Sequence, residues 1–152
     1  MEQHHLWFWE ADWLWGCFLI LSTVIIHVLA LGFINQKAIA IFDKYMERSH
    51  PIAVFSVVMG VTTLLATVLH AFEAGIWAAA YCVIDGFPGW RAAMLYSLGA
   101  ITTYGHQSLF LGPHWQLLGA IEALNGWLLF GLTTASLFCL LQQVSPRYRV
   151  GR

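Results

Sequence analysis

From Trp13 to Ile34 the chain carries no Asp, Glu, Lys or Arg, and His27 is the one histidine in the run. As a helix, those roughly 22 residues reach about 33 Å, enough to cross a bilayer core of about 30 Å. Two further apolar runs follow, Ile52 to Ile84 and Trp115 to Gln142. The second reaches about 50 Å if wholly helical, so its outer end must bend, tilt or project. The third is again long enough to span. Only 10% of the residues are charged and 59% are hydrophobic. A soluble domain carries about 25% charged residues, so this chain cannot cover a surface facing water. The expected class is an all-α integral membrane protein with three transmembrane helices.

The basic residues set the expected orientation. Lys37, Lys44 and Arg48 lie between the first two runs, and Arg147, Arg149 and Arg152 follow the third. With three alternating spans these six share one side and Arg91 stands alone on the other. The positive-inside rule makes that shared side cytoplasmic, in a cell inner (plasma) membrane. Residues 1–12 are then extracytoplasmic, 13–35 form an extra transmembrane helix and 143–152 a basic cytoplasmic tail. Trp7, Trp9, Trp13 and Trp15 make an aromatic belt at the outer interface. Residues 36–51 are expected as a short amphipathic cytoplasmic linker, with Ile39, Phe42 and Met46 toward lipid and Asp43, Lys44, Glu47 and Arg48 in water. Pro51 suits the first turn of the next helix. The acidic, aromatic N-terminus lacks the basic start of a cleavable signal. Cys17, Cys82 and Cys139 have no metal-ligand spacing and are expected as small buried apolar residues.

One apolar piece, WRAAMLYSLGAITT (Trp90 to Thr103), is too short to span and is expected as a re-entrant helix. A full crossing there would carry the C-terminal arginines outside. ITTYGHQS (Ile101 to Ser108) follows it. Irregular backbone at membrane depth must be buried in protein or line a water-filled path. Carbonyl-rich backbone at the tip of a half-helix is also how cation filters replace hydration water. A single chain of this length cannot enclose a path, so cyclic assembly of several copies is expected.

The ordered set of motifs over residues 52–142 resembles the pore module of the potassium-channel superfamily, in particular small bacterial ion-channel proteins with a two-span pore unit. TTYGHQS stands where such proteins carry TTxGYGD. HAFEAGIWAAAY (His70 to Tyr81) is similar to their HxxEIWxWAxxY-type outer helix, and PHWQLLGAIEALNGWLLFGLTTASLF to their inner helix. The resemblance implies a homo-tetramer with a pore helix at 90–103, a filter at 102–108 and an inner helix at 115–142. It assigns Thr102, Thr103, Tyr104, Gly105, His106 and Gln107 to the filter and Gly126 to an inner-helix hinge. Gln107 replaces a filter glycine and Ser108 the final acid, so altered or weak potassium selectivity is expected, with potassium or sodium as permeant ions. His106 either titrates at the pore mouth, repelling cations when charged, or packs behind the filter through a hydrogen bond.

Other residues gain expected places from spacing. Trp127, Phe130, Thr134, Phe138 and Leu141 recur on one helix face. The inner-helix resemblance implies that this face lines the pore, narrowing it enough to gate by dewetting; the alternative is that it packs against a neighbouring helix. His70 and Glu73 are three apart and share a face. They and Glu122 are expected to support the pore helix, because an ionisable group facing lipid costs a few kcal/mol. His27 is expected in an interhelical hydrogen bond. Nothing in the sequence marks a voltage sensor or a soluble regulatory domain, and a net charge of −1 offers no face for nucleic acid. His70, Glu73, His106 and His114 match no metal signature, so neither an enzyme nor a cofactor site is expected. A non-conducting scaffold or modifying subunit is the first alternative to a pore and a small membrane enzyme a more distant one, with membrane lipids as partners in each case.

Overall fold

The computed structural model describes residues 2–46, 50–105, 108–113 and 115–150, with side chains described within 12–45, 50–105, 108–113 and 115–145. Four helices make up the described chain: α1 (Glu2–Met46), α2 (Pro51–Val83), α3 (Trp90–Ile101) and α4 (Gln116–Val150). Three contain stretches long and apolar enough to cross a membrane, Asp12–Tyr45, Pro51–Val83 and Gln116–Ser145. The chain is thus all-helical and compatible with a multi-pass membrane protein. His106, Gln107, His114, Glu47, Arg48 and Arg152 lie outside the described residues, as do the side chains of Trp7, Trp9, Met46, Arg147 and Arg149.

Local sequence explains where the helices start and stop. Pro51 opens α2, where its missing N–H costs nothing. At the other end Asp85 adopts φ 53. Gly86 N–H then donates to the Tyr81 carbonyl at 2.9 Å, and Asp85 N–H to that of Cys82 at 3.3 Å. This paired Schellman cap satisfies carbonyls that the helix itself leaves open.

Three expectations are corrected. The separate amphipathic linker does not exist as such, because α1 continues unbroken to Met46. No glycine or proline falls between Asn35 and Met46 to end it. Phe42 does not face lipid either. It is fully buried in a cluster with Ala38, one turn before it, and with Val58, Leu140 and Val144. The cysteines also differ from expectation: Cys17 and Cys139 are exposed and Cys82 is half-buried. An apolar neighbourhood along the sequence is equally well met by a lipid-facing position as by a core.

The described chain falls into two compact units. The first comprises 1–25 and 70–129. Its core joins Leu19 of α1, Trp77, Ala78 and Tyr81 of α2, Ala93, Tyr96 and Ala100 of α3, and Leu118 and Ile121 of α4. Tyr81 meets the Tyr96 ring edge-on at 5.3 Å and the Phe87 ring edge-on at 6.1 Å, an arrangement aromatic quadrupoles favour. Gly119 and Gly126 let α4 approach α3 closely. A side chain at Gly119 would meet the Tyr96 hydroxyl, and one at Gly126 the Ile101 carbonyl. Small residues of this kind are how membrane helices bring their backbones together.

The second unit comprises 26–69 and 130–152. Here polar bonds join α1 to α4: Asn35 donates its side-chain amide to Ser136 Oγ at 2.6 Å, and His27 Nε2 lies 3.0 Å from Thr133 Oγ1. His27 therefore makes the interhelical hydrogen bond expected of it. Thr62, Thr63, Thr67 and Thr134 donate instead to carbonyls one turn back in their own helices, as where Thr62 donates to the Val58 carbonyl at 2.8 Å.

Candidate functional site

The segment after α3 is built as an elaborate helix end. Thr102 caps α3 in a helical conformation, with its hydroxyl donating to the Leu98 carbonyl at 2.5 Å. Thr103 follows at φ 56 and donates its N–H to the Ala100 carbonyl at 2.9 Å. Gly105, at φ 82, reaches back to the Gly99 carbonyl at 3.1 Å. The last-turn carbonyls of Leu98, Gly99 and Ala100 are thereby occupied, and those of Thr102, Thr103 and Tyr104 come next along the chain. Tyr104 itself is 88% exposed. Leu98, Gly99, Thr102, Tyr104, Gly105 and Ser108 border an open hollow of about 450 Å³ together with Leu95 and Leu109.

A left-handed conformation comes cheaply to Gly105 but not to Thr103, whose β-branched side chain disfavours it. The cost for a non-glycine residue is about 1–2 kcal/mol. Thr103→Gly is therefore expected to raise stability by up to about 1 kcal/mol, once the greater unfolded freedom of glycine is offset. Thermal unfolding of the detergent-solubilised variant measures this. A lowered midpoint would show that contacts of the Thr103 side chain outweigh the strain.

Behind this turn lies a buried polar network joining α2, α3 and α4. Glu122 is fully buried. Tyr81 donates its hydroxyl to Glu122 Oε2 at 2.6 Å, while Glu122 Oε1 meets Ser97 Oγ in a very short contact. Ser97 Oγ also lies 2.7 Å from the Ala74 carbonyl of α2. A second polar link crosses from α4 to α1, where Asn125 donates its amide to Thr23 Oγ1 at 2.8 Å. Glu122 thus turns toward α3 rather than lipid. On α2, Glu73 is fully buried, and His70 Nδ1 stands 3.5 Å from its Oε2.

The remaining expected site residues are placed more simply. Gly126, expected as a hinge, sits in an unbroken helix, where it accepts the close approach of Ile101. Trp127 is 72% exposed, Phe130 69% and Phe138 57%. Thr134 is also exposed, its hydroxyl bonded to the Phe130 carbonyl at 2.9 Å. Among the described residues, packing leaves these side chains of α4 exposed.

Sequence reasoning missed Ser97, Tyr81, Asn125, Thr23 and Asp12. Asp12, assigned to an outer aqueous segment, is buried within α1. Signals existed for two of them: Ser97 is the one Ser or Thr inside α3, and Tyr81 lies two turns from Glu73 on the same helix. No protein-family model matches this chain, and no curated protein or solved structure matches it either.

Proposed function

We propose that this chain is one subunit of a homo-tetrameric pore for monovalent cations, potassium or sodium, with weak discrimination between them. The observation that carries the proposal is the level at which α3 ends. The Ile101 carbonyl lies against Gly126, ten residues into α4. At 1.5 Å per residue that is about 15 Å from the start of α4, half of a core of about 30 Å. A second measure agrees, since Ser97 contacts Ala74, nine residues before the end of α2, or about 14 Å. On this reading α3 enters the membrane and stops near the midplane, leaving the carbonyls of the TTYG turn at depth.

Backbone in that position needs either protein or a water-filled path around it. Four copies about one axis supply both, with the exposed Tyr104 turned toward neighbouring copies. In this arrangement the N-terminus is extracytoplasmic, the C-terminus is cytoplasmic, and lipid covers the outer faces of the helices. Trp127, Phe130, Thr134 and Phe138 then flank the pore. Bulky apolar groups there narrow the path and oppose its wetting.

Purified protein in liposomes tests the proposal. Potassium and sodium flux above that of empty vesicles is expected, with comparable rates for both ions. Trp127→Ala combined with Phe130→Ala is expected to raise unitary conductance by about twofold or more as the constriction widens. Flux no greater than in empty vesicles would assign the chain to the non-conducting scaffolds or modifying subunits. Conductance unchanged in the double variant would place the stripe at a packing contact.

A further inference from the structure

Three oxygen-to-oxygen contacts run in series through the buried network: Tyr81 hydroxyl to Glu122 Oε2, Glu122 Oε1 to Ser97 Oγ, and Ser97 Oγ to the Ala74 carbonyl. Each needs one proton between its two oxygens. Tyr81 and Ser97 bring one apiece, since a hydroxyl donates once. The Ala74 carbonyl brings none. With an ionised Glu122 there are two protons for three contacts. If Ser97 then donates to the carboxylate, its oxygen faces the Ala74 carbonyl at 2.7 Å with lone pair against lone pair. If it donates to Ala74 instead, the same clash moves to Glu122 Oε1.

We infer that Glu122, Ser97, Tyr81 and the Ala74 carbonyl form a proton-binding site in which the Glu122 carboxyl carries its proton in the native fold at neutral pH. The count then closes. Tyr81 donates to Oε2, the acid hydroxyl of Glu122 donates from Oε1 to Ser97, and Ser97 donates to Ala74. All four groups are fully buried. The surroundings agree with a neutral acid, because an ionised carboxylate away from water needs a cation. Among the described residues no lysine or arginine is buried. The titratable groups facing the site are Tyr81 from α2, Tyr96 from α3 and, beyond Tyr81, Asp12 from α1. Glu73 lies two turns before Tyr81 on α2, with His70 as its neighbour. The bound proton links α2, α3 and α4, and its loss leaves one contact of the chain without a hydrogen. The site does not depend on whether the chain conducts ions.

Infrared spectra of the full-length chain in lipid bilayers at neutral pH test it directly. The wild type minus Glu122→Gln difference is expected to contain one carboxylic-acid C=O stretch that moves down in D2O. Tyr81→Phe removes the hydrogen bond to the carbonyl oxygen and is expected to move that band to higher wavenumber without abolishing it. A difference spectrum containing carboxylate bands and no acid band overturns the inference. Should Glu122→Gln yield no folded protein, Tyr81→Phe against wild type decides alone. A displaced acid band supports the site, and the absence of any displaced acid band overturns it. Liposome flux is a separate readout, so the pore proposal and the proton site stand or fall independently.

Discussion

Gly126→Ala is expected to destabilise the protein by about 2–3 kcal/mol, whereas Gly131→Ala, five residues further along α4, is expected to stabilise it by about 0.5–1 kcal/mol. Both positions are helical glycines, and helix propensity alone predicts the same sign for each. They differ in what a new methyl group meets. At Gly131 there is open space within 4 Å, while at Gly126 the backbone carbonyl of Ile101 occupies the position. No rotamer change clears a backbone carbonyl, so α3 must move away from α4. That movement also displaces Thr102 and opens the Ala74, Ile101 and Leu129 cluster. Unfolding of both variants in the same detergent measures the contrast. Equal effects of the two substitutions would mean that α3 does not lie against Gly126, and the depth argument for the TTYG turn would fall with it.

The legible part of this fold was the part that lipid dictates. Long uncharged runs have one cheap solution in a bilayer, and the three long helices follow from it. The short helix was legible for the same reason, since Trp90 to Thr103 is apolar but too brief to cross. Which face of each helix meets protein was less accessible. In water a buried face is betrayed by polar residues opposite it, but in a membrane both faces are apolar. Phe42 and Cys17 show the consequence, one turning inward and the other outward against expectation. The network around Glu122 was half-legible. A lone acid in an apolar helix must find partners, yet nothing in the spacing of Tyr81, Ser97 and Glu122 along the chain brings them together. Their meeting depends on the glycines at 119 and 126, which flank Glu122 at three- and four-residue steps on the same helix face. The left-handed Thr103 was not legible at all, because threonine is a poor signal for that conformation.

Glu122→Ala is expected to cost about 3–5 kcal/mol. It strands the Tyr81 hydroxyl, which donates to Glu122 in the native site. An unsatisfied buried group of this kind costs about 1–3 kcal/mol. The lost carbons leave a cavity among Tyr81, Ser97 and Ile121, where α4 is locked to its neighbours and relaxes little. Glu122→Gln supplies the control. Its carbonyl still accepts from Tyr81, its amide donates to Ser97, and Ser97 remains free to donate to Ala74. One amide hydrogen is left over, so the expected loss is about 1 kcal/mol. The gap between the two variants therefore measures the lost hydrogen bonds together with the packing lost to the cavity. Tryptophan fluorescence during chemical unfolding follows both, with Trp77 buried one turn from Tyr81 as a reporter. A glutamine variant as unstable as the alanine variant would mean that the site requires an ionised carboxylate, which contradicts the proton count. An alanine variant within about 1 kcal/mol of wild type would mean that water fills the site and completes the bonds in place of the side chain.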